Sequence, residues 1–354
     1  MKGLILSGGK GTRLRPFTYT GAKQLVPLAN RPVLFYAIDN LVAAGIADIG
    51  IVVGDTADQI MAAVGDGSAL GARITYIPQA APLGIAHAVK IARDFIGDDP
   101  FVLFLGDNFI REGIAPLVTR FRAGPMNALI ILAEVPNPQD FGIAECIDGR
   151  VCRVVEKPAE PPSNLAVTGI YMFDHHVFDA IATIRPSARG ELEITDTIQY
   201  LIDHGFDVYP HRLTDAWIDT GKMEDILAAN RLVLETIAPR IEGSIDAASS
   251  VSGRVVLEAG ASIVNSIVRG PAIIGARSRI SDSYIGPFTS INHDCDIVNC
   301  EIEHSIVLDN SSLADLEHRI IDSMIGRNVS VARSQARPRA YKLVLGDHSR
   351  ITVV

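Results

Sequence analysis

Apolar positions follow two different rhythms along the 354-residue chain, and the change falls near residue 240. From Lys2 to about Arg240, short apolar runs alternate with stretches of helical spacing. Gly3–Leu6, Ile49–Val53, Ile74–Ile77 and Phe101–Leu105 read as strands, and the spacing predicts helices over Pro32–Ala44, from Thr56, and from Ile85 to Phe95. Val102-Leu-Phe-Leu105 and Ala128-Leu-Ile-Ile-Leu-Ala133 are apolar at every position, as a parallel or mixed sheet covered on both faces requires. This order predicts an α/β domain over residues 1–240, with ligands received beyond the carboxyl ends of its strands.

From about Ile241 to Val354, helical periodicity gives way to β-branched clusters separated by Gly, Ser, Asn and Asp. Val251, Leu257 and Ile263 fall six apart, as do Ile285, Ile291 and Ile297. A six-residue apolar period predicts a second domain, residues 241–354, built as a β-helix of hexapeptide coils with each aliphatic side chain pointing into a stacked core. A small antiparallel sandwich is the alternative for strands spaced by Gly and Ser. The register breaks near Ser311–Glu317, where a loop or a skipped coil is expected.

Composition narrows the picture. With 48% hydrophobic and 21% charged residues, the chain can bury two cores and gives no sign of wholesale disorder. No apolar run is long enough to span a bilayer, and Met-Lys-Gly-Leu-Ile-Leu-Ser is too short and strand-like for a signal peptide, so a cytoplasmic location without a membrane partner is expected. The balance of 32 basic against 41 acidic residues gives a net charge of −9, which argues against a nucleic-acid surface of any size. Cys146, Cys152, Cys295 and Cys300 show neither Cys-x-x-Cys nor zinc-like spacing and read as buried or half-buried thiols.

Anionic ligands of so acidic a chain need positive charge concentrated locally, and Leu4-Ile-Leu-Ser-Gly-Gly-Lys-Gly-Thr-Arg-Leu-Arg-Pro16 supplies it. A strand runs directly into a loop where Gly8, Gly9 and Gly11 let backbone N–H groups approach a ligand, while Lys10, Arg13 and Arg15 add charge for phosphate oxygens. The spacing is neither a Walker A sequence nor a dinucleotide-binding G-x-G-x-x-G. A glycine-rich turn with solvated basic residues is the bland alternative.

The same loop, followed by Lys23-Gln24-Leu25-Val26-Pro27, resembles the signature of the sugar-1-phosphate nucleotidylyltransferases, and its Lys-Gln-Leu form resembles the branch that transfers thymidylyl groups. The likeness continues in family order through Leu105-Gly-Asp-Asn108, Phe141-Gly142, Glu156-Lys157-Pro158, Thr168-Gly-Ile-Tyr171, Arg189-Gly-Glu-Leu-Glu-Ile-Thr-Asp196 and Trp217-Ile-Asp-Thr-Gly221. It implies a Rossmann-like nucleotidyltransferase domain with a mixed sheet, followed in long-form members by a left-handed parallel β-helix. It implies a reaction in which a phosphate oxygen of α-D-glucose 1-phosphate attacks the α-phosphorus of dTTP, leaving dTDP-glucose and pyrophosphate.

Both reactants are strongly negative, so charge neutralisation and positioning are the main tasks, with Mg²⁺ as the cofactor. Asp107 and Asp219 are the metal candidates, because each follows a strand-like run and precedes a turn-forming residue. Arg13 is the candidate to grip the β- and γ-phosphates through its guanidinium fork, and Lys23, otherwise an exposed lysine, is expected to bridge phosphates from a neighbouring loop. Lys157 is expected near the sugar phosphate and Glu156 is expected to accept hydrogen bonds from adjacent sugar hydroxyls, a plain Glu–Lys surface pair being the alternative. The resemblance implies nucleotide contacts from Leu6, Gly8, Gly9, Gly11, Thr12, Arg13, Gln24, Gln79, Gly84 and Asp107, with Gln79 and the Gly84 backbone reading the base. It also implies sugar contacts from Gly142, Thr168, Gly169, Tyr171 and Glu191 or Glu193, with glycines leaving space. Ser7 stands where relatives often have alanine, and His87 is read as packing or surface with no catalytic task.

Two other functions are kept open. One is a UTP-dependent glucose- or N-acetylglucosamine-1-phosphate uridylyltransferase, with acyl transfer in the β-helix at His293, His304 or His318. The other is a non-catalytic nucleotide-sugar-binding regulatory subunit, against which the retention of Arg13, Lys23, Asp107 and Asp219 argues. The preferred role for the β-helix is assembly of a homo-oligomer, a trimer or tetramer.

Overall fold

The computed structural model of the chain describes residues 1–9, 11–334, 341 and 343–352, so Lys10 of the glycine loop lies outside the described residues. The chain divides into two compact units. The first comprises Met1–Gly11, Gly21–Leu25 and Val33–Asp219; the second comprises Thr12–Thr20, Val26–Pro32 and the chain from Thr220 on.

The first unit is built on a nine-stranded mixed sheet. At its centre Lys2–Ser7 pairs in parallel with Asp48–Val53 on one side and Phe101–Leu105 on the other, and Arg73–Pro78 extends the parallel half. Leu165–Phe173 then runs antiparallel to Phe101–Leu105 and carries Ala128–Glu134 and the Gly142–Ile147/Arg150–Glu156 hairpin. The unbroken apolar runs explain themselves once the layers are seen. Leu4 and Phe101 enter one core with Val89 and Phe173, while Ile5 and Phe104 enter the opposite core with Leu34 and Ile38. Successive strand residues face opposite sides of a sheet covered on both, so no position is left for a polar side chain.

The helices follow their apolar faces. Val33–Ala43 buries Val33, Leu34, Ala37, Ile38 and Leu41, an i, i+4 stripe. It ends where Gly45 takes φ +75° and Ile46 N–H donates to Leu41 O at 2.9 Å, a Schellman-type close. One predicted helix differs. The stretch Ile85 to Phe95 is divided into Ile85–Ile91 and Arg93–Ile96. At the break the buried Ala92 N–H donates to Val89 O, a tighter i→i−3 bond that interrupts the α pattern without Pro or Gly.

In the second unit, three parallel sheets with six, six and five strands stack coil on coil, the architecture of a left-handed β-helix. The apolar period is not uniformly six. Leu257 pairs with Ile274 and Ile274 with Ile291, so a coil takes 17 residues, with inward positions Leu257, Ile263, Val268, Ile274, Ile280 and Ile285 spaced six, five, six, six and five. The short step falls at corners where Asn265, Asp282 and Asn299 adopt positive φ, a conformation that Asn and Asp tolerate. Beside them Ser266 Oγ accepts from Ser283 N–H and Ser283 Oγ from Cys300 N–H, a ladder that satisfies the buried corner amides. Near Ser311–Glu317 no coil is skipped. Ser312–Ala314 is a strand in register with Asp296–Val298, and the extra length is a loop after it, before Ile320.

A hairpin, Pro27–Leu28 with Arg31–Pro32, and the helix Met223–Leu234 belong to this unit. Asn230, 1% exposed, receives the Ala29 N–H and the Ser290 hydroxyl on its Oδ1, both at 2.8 Å. All four cysteines are free thiols, Cys295 and Cys300 buried and the other two half-buried. No helix among the described residues is long and apolar enough to cross a membrane.

Candidate active site

The site in the first unit begins where its central parallel strands end. Gly8 follows Lys2–Ser7, and a β-carbon there would lie 3.2 Å from Gln79 Oε1 and 3.7 Å from Gly54 N. A β-carbon at Gly54 would in turn meet Gly8 O at 3.1 Å. Two neighbouring strand ends can lie this close only because both lack side chains. Leu6, at the end of the same strand, accepts Gly106 N–H at 2.9 Å and so ties the glycine loop to the segment that carries Asp107.

Lys23 and Gln24 reach the loop from the one-turn helix Lys23–Leu25. The β-carbon direction of Gly9 points at Lys23 Nζ, 3.3 Å away, and at Gln24 Nε2, 3.9 Å away. Gln24 is 1% exposed, and its Oε1 has no hydrogen-bond partner; Ser7, fully buried, has an unpartnered Oγ. Gly11 closes the described loop with φ +61°.

Asp107 follows the strand Phe101–Leu105 by one glycine and is 6% exposed. Lys23 Nζ bonds Asp107 Oδ2, and Asn108 Nδ2 donates to the other oxygen at 3.3 Å. Burial alone would push the Asp107 carboxyl upward, but the Lys23 ammonium outweighs it and holds the group below the usual carboxylate range. Asn108–Ile110 then pairs antiparallel with Trp217–Asp219, which sets Asp219 directly opposite Asn108. Asp219, far from Asp107 in sequence, thus stands across the ribbon from the residue that follows Asp107. Trp217 fixes its geometry by donating Nε1–H to Asn108 Oδ1 at 2.6 Å and meeting Phe141 edge-on at 5.7 Å.

Phe141 leads into a second cluster. Gly142 lies against Glu156 and Thr195, since its β-carbon would sit 2.6 Å from Thr195 Cγ2 and 3.2 Å from Glu156 Oε2. Glu156 accepts from Thr195 Oγ1 at 3.2 Å and from Arg189 Nη2 at 3.0 Å. Arg189 also donates to both oxygens of Glu193 at 2.9 Å, and Glu193 is 6% exposed. Burial, then the Glu193 charge, push the Glu156 carboxyl above its usual range against Arg189 and Lys157. Lys157 is exposed and holds φ +40°, rare for a side chain of its kind, while its N–H donates to Phe141 O at 3.0 Å.

Several expected sugar contacts have other employment. Gly169 leaves room for Leu105, whose side chain would lie 2.6 Å from a β-carbon, so this glycine serves strand packing rather than an open pocket. Thr168 is fully buried and donates Oγ1–H to Ile131 O at 3.0 Å within the sheet. Tyr171 is 3% exposed and stacked on Phe173; burial, then the Glu156 charge, raise its hydroxyl pKa. Of the two acidic candidates, Glu193 is the buried one, and Glu191 lies 3.7 Å from Arg189 with its side chain 40% exposed.

On the base side, Gln79 Nε2 lies 3.0 Å from His87 Nδ1, a partner that its helical position in the sequence did not suggest. Burial and the nearby Lys90 lower the pKa of His87, favouring a neutral ring that can accept from the amide. Gly84 has φ +103°, and a β-carbon there would lie 2.4 Å from Leu192 O. Its bareness is used by the Leu192 backbone, whose N–H donates to Leu83 O at 2.8 Å. Thr12, Arg13 and Arg15 fall in the second unit. There Arg13 is exposed and close enough to Asp225 to lower its pKa, although burial raises that group overall, and Arg15 stacks over Tyr19 at 4.8 Å.

A glycine-lined strand end with a buried lysine–carboxylate pair beside it suits phosphoryl-group chemistry. Residues 2–236 match the nucleotidyl transferase family, and the chain belongs to it. Relatives named glucose-1-phosphate thymidylyltransferase from Streptomyces griseus and Streptomyces antibioticus are each 52% identical over 100% of this chain and 99% of their own. A low-salt glycan biosynthesis nucleotidyltransferase of Haloferax volcanii is 47% identical over 99% of both chains. Among solved structures, a Bacillus anthracis chain assigned as a glucose-1-phosphate thymidylyltransferase, in complex with sucrose, matches with a TM-score of 0.64 and 36% identity over 68% of this chain and 98% of its own. Nucleotidyltransferases of this family generally use a divalent metal.

Proposed function

We propose that this protein transfers the thymidylyl group of dTTP to α-D-glucose 1-phosphate, forming dTDP-glucose and pyrophosphate in the cytoplasm. The observation that carries the reading is the ribbon that sets Asp219 opposite Asn108, beside Asp107, with Lys23 on the Asp107 carboxylate and Gly9 against Lys23. Two hard carboxylate donors suit Mg²⁺, and the ionised state in which Asp107 is held suits a ligand. When bound, the ion would offset phosphate charge; Asp107 and Asp219 are the residues that would hold it.

The chain's own groups supply the rest. Gly8, Gly9 and Gly11 offer backbone N–H groups to the triphosphate. Lys23, already within the site, neutralises phosphate oxygens and lies against the loop that receives them. Gln79, held by His87, reads the imide edge of thymine, with Gly84 and the unpartnered Oε1 of Gln24 as further contacts. Glu156 and Gly142 face the sugar, and Lys157 its phosphate. No general base is needed, because the attacking phosphate is already ionised.

Pyrophosphate release is the test. It should be measured for each nucleoside triphosphate with glucose, N-acetylglucosamine and mannose 1-phosphates, with and without Mg²⁺. The highest kcat/KM is expected for dTTP with glucose 1-phosphate, with UTP as a secondary substrate, since thymine and uracil differ by one methyl group worth about 1–3 kcal/mol. A preference for another sugar or a purine would overturn the reading.

A further inference from the structure

The three inward residues of the first β-helix coil lack the cover that the interior coils receive. Ile241, Ile245 and Val251 stack on Leu257, Ile263 and Val268, which are fully buried. Yet Ile241 is 49% exposed and Ile245 is 38% exposed, and with Val251 they line a hollow of about 330 Å³ at the end of the prism. The strands Arg240–Ile241, Ser244–Ile245 and Ser250–Ser252 are also the terminal strands of their three sheets, so among the described residues no strand pairs along their outer edges. Glu242 N–H is spent inward on Leu257 O, which turns the N–H and C=O of Ile241 outward.

An open core and three bare strand edges arranged on one triangle are poor terminations for a soluble chain. A single extended peptide could pair with one edge only, whereas the end of another β-helix matches all three. Charge decides which end. Arg240 and Glu242 flank Ile241 with opposite signs, 3.2 Å apart and more than 40% exposed. Antiparallel pairing of this strand with its own copy about Ile241 sets Arg240 opposite Glu242 of the partner subunit, and the reverse. We propose that two copies of this chain join head to head through the first coil of the β-helix, on a two-fold axis through Ile241. Such an isologous contact closes on itself, where head-to-tail stacking would propagate. The assembly therefore holds an even number of chains.

Sedimentation equilibrium and light scattering test this on the full-length protein. The native mass should be an even multiple of the chain mass; Arg240→Glu should halve it by placing like charges across the axis, and Arg240→Glu with Glu242→Arg should restore it. Because both side chains are exposed, neither variant should alter turnover per chain. In the unmodified protein, amide exchange over residues 240–252 should be as slow as over residues 255–274. A monomeric or odd-numbered native particle, an unchanged mass for Arg240→Glu, or fast exchange along the first coil would overturn the proposal.

Discussion

Lys23 sets its ammonium on the Asp107 carboxylate, and this contact opposes the burial that would otherwise raise the pKa of that side chain. With the folded pKa held below the usual range, the pair's stabilisation is present above the ordinary carboxylate pKa and is lost only as pH falls through the lowered value. Lys23→Met removes the opposing charge, leaves burial unopposed, and should raise the Asp107 pKa. The acid limb of kcat/KM is expected to move to higher pH relative to wild type. A pH–rate profile with unmoved acid limb would show that Asp107 does not depend on Lys23.

Asp107→Asn keeps the shape and removes the charge. Turnover should fall about 10²–10³-fold, while dTTP binding in the absence of divalent metal should change little. Steady-state kinetics and calorimetry on the same preparation separate the two quantities; unchanged turnover would remove Asp107 from the mechanism.

Glu156 has the opposite balance, since burial and Glu193 raise its pKa. A carboxyl whose folded pKa is raised contributes stability below its unfolded pKa that is lost as pH rises through the folded value. Glu156→Gln should therefore melt no lower than wild type at pH 7.5, despite losing the Arg189 contact, while KM for glucose 1-phosphate rises about tenfold or more. Thermal melts with kinetics check both halves, and a drop in melting temperature with an unchanged sugar KM would refute the assignment.

The Gln79–His87 contact gives a base-side prediction. His87→Ala should raise KM for dTTP about threefold to tenfold, the worth of one hydrogen bond, and leave KM for glucose 1-phosphate alone. Because the His87 pKa is lowered, the neutral acceptor should persist at pH 7, and KM for dTTP should rise only as the ring protonates in more acidic solution. An equal change in both KM values would point to a general packing defect instead.

Gly84→Ala tests a purely geometric claim. With φ +103° and Leu192 O at 2.4 Å from the new carbon, strain and overlap together should cost roughly 2–4 kcal/mol in denaturant unfolding. A loss under about 0.5 kcal/mol would mean that the Leu192 segment moves freely.

The sequence was informative wherever a rule acts over a few residues. The all-apolar strands, the glycine turn after Ser7 and the recurring aliphatics of the coils are local consequences of sheet burial, positive φ and stacking, so periodicity exposes them. Even there, the 17-residue coil was hidden, because a corner Asn or Asp shortens one step in three without disturbing the apolar pattern nearby. What only the tertiary structure decided are the encounters between distant segments: Asp219 opposite Asn108, Arg189 bridging Glu156 and Glu193, Leu192 filling the space at Gly84 and Leu105 that at Gly169. Each depends on which strands become neighbours. Spacing along a chain records what a residue can do, whereas sheet order determines what it meets.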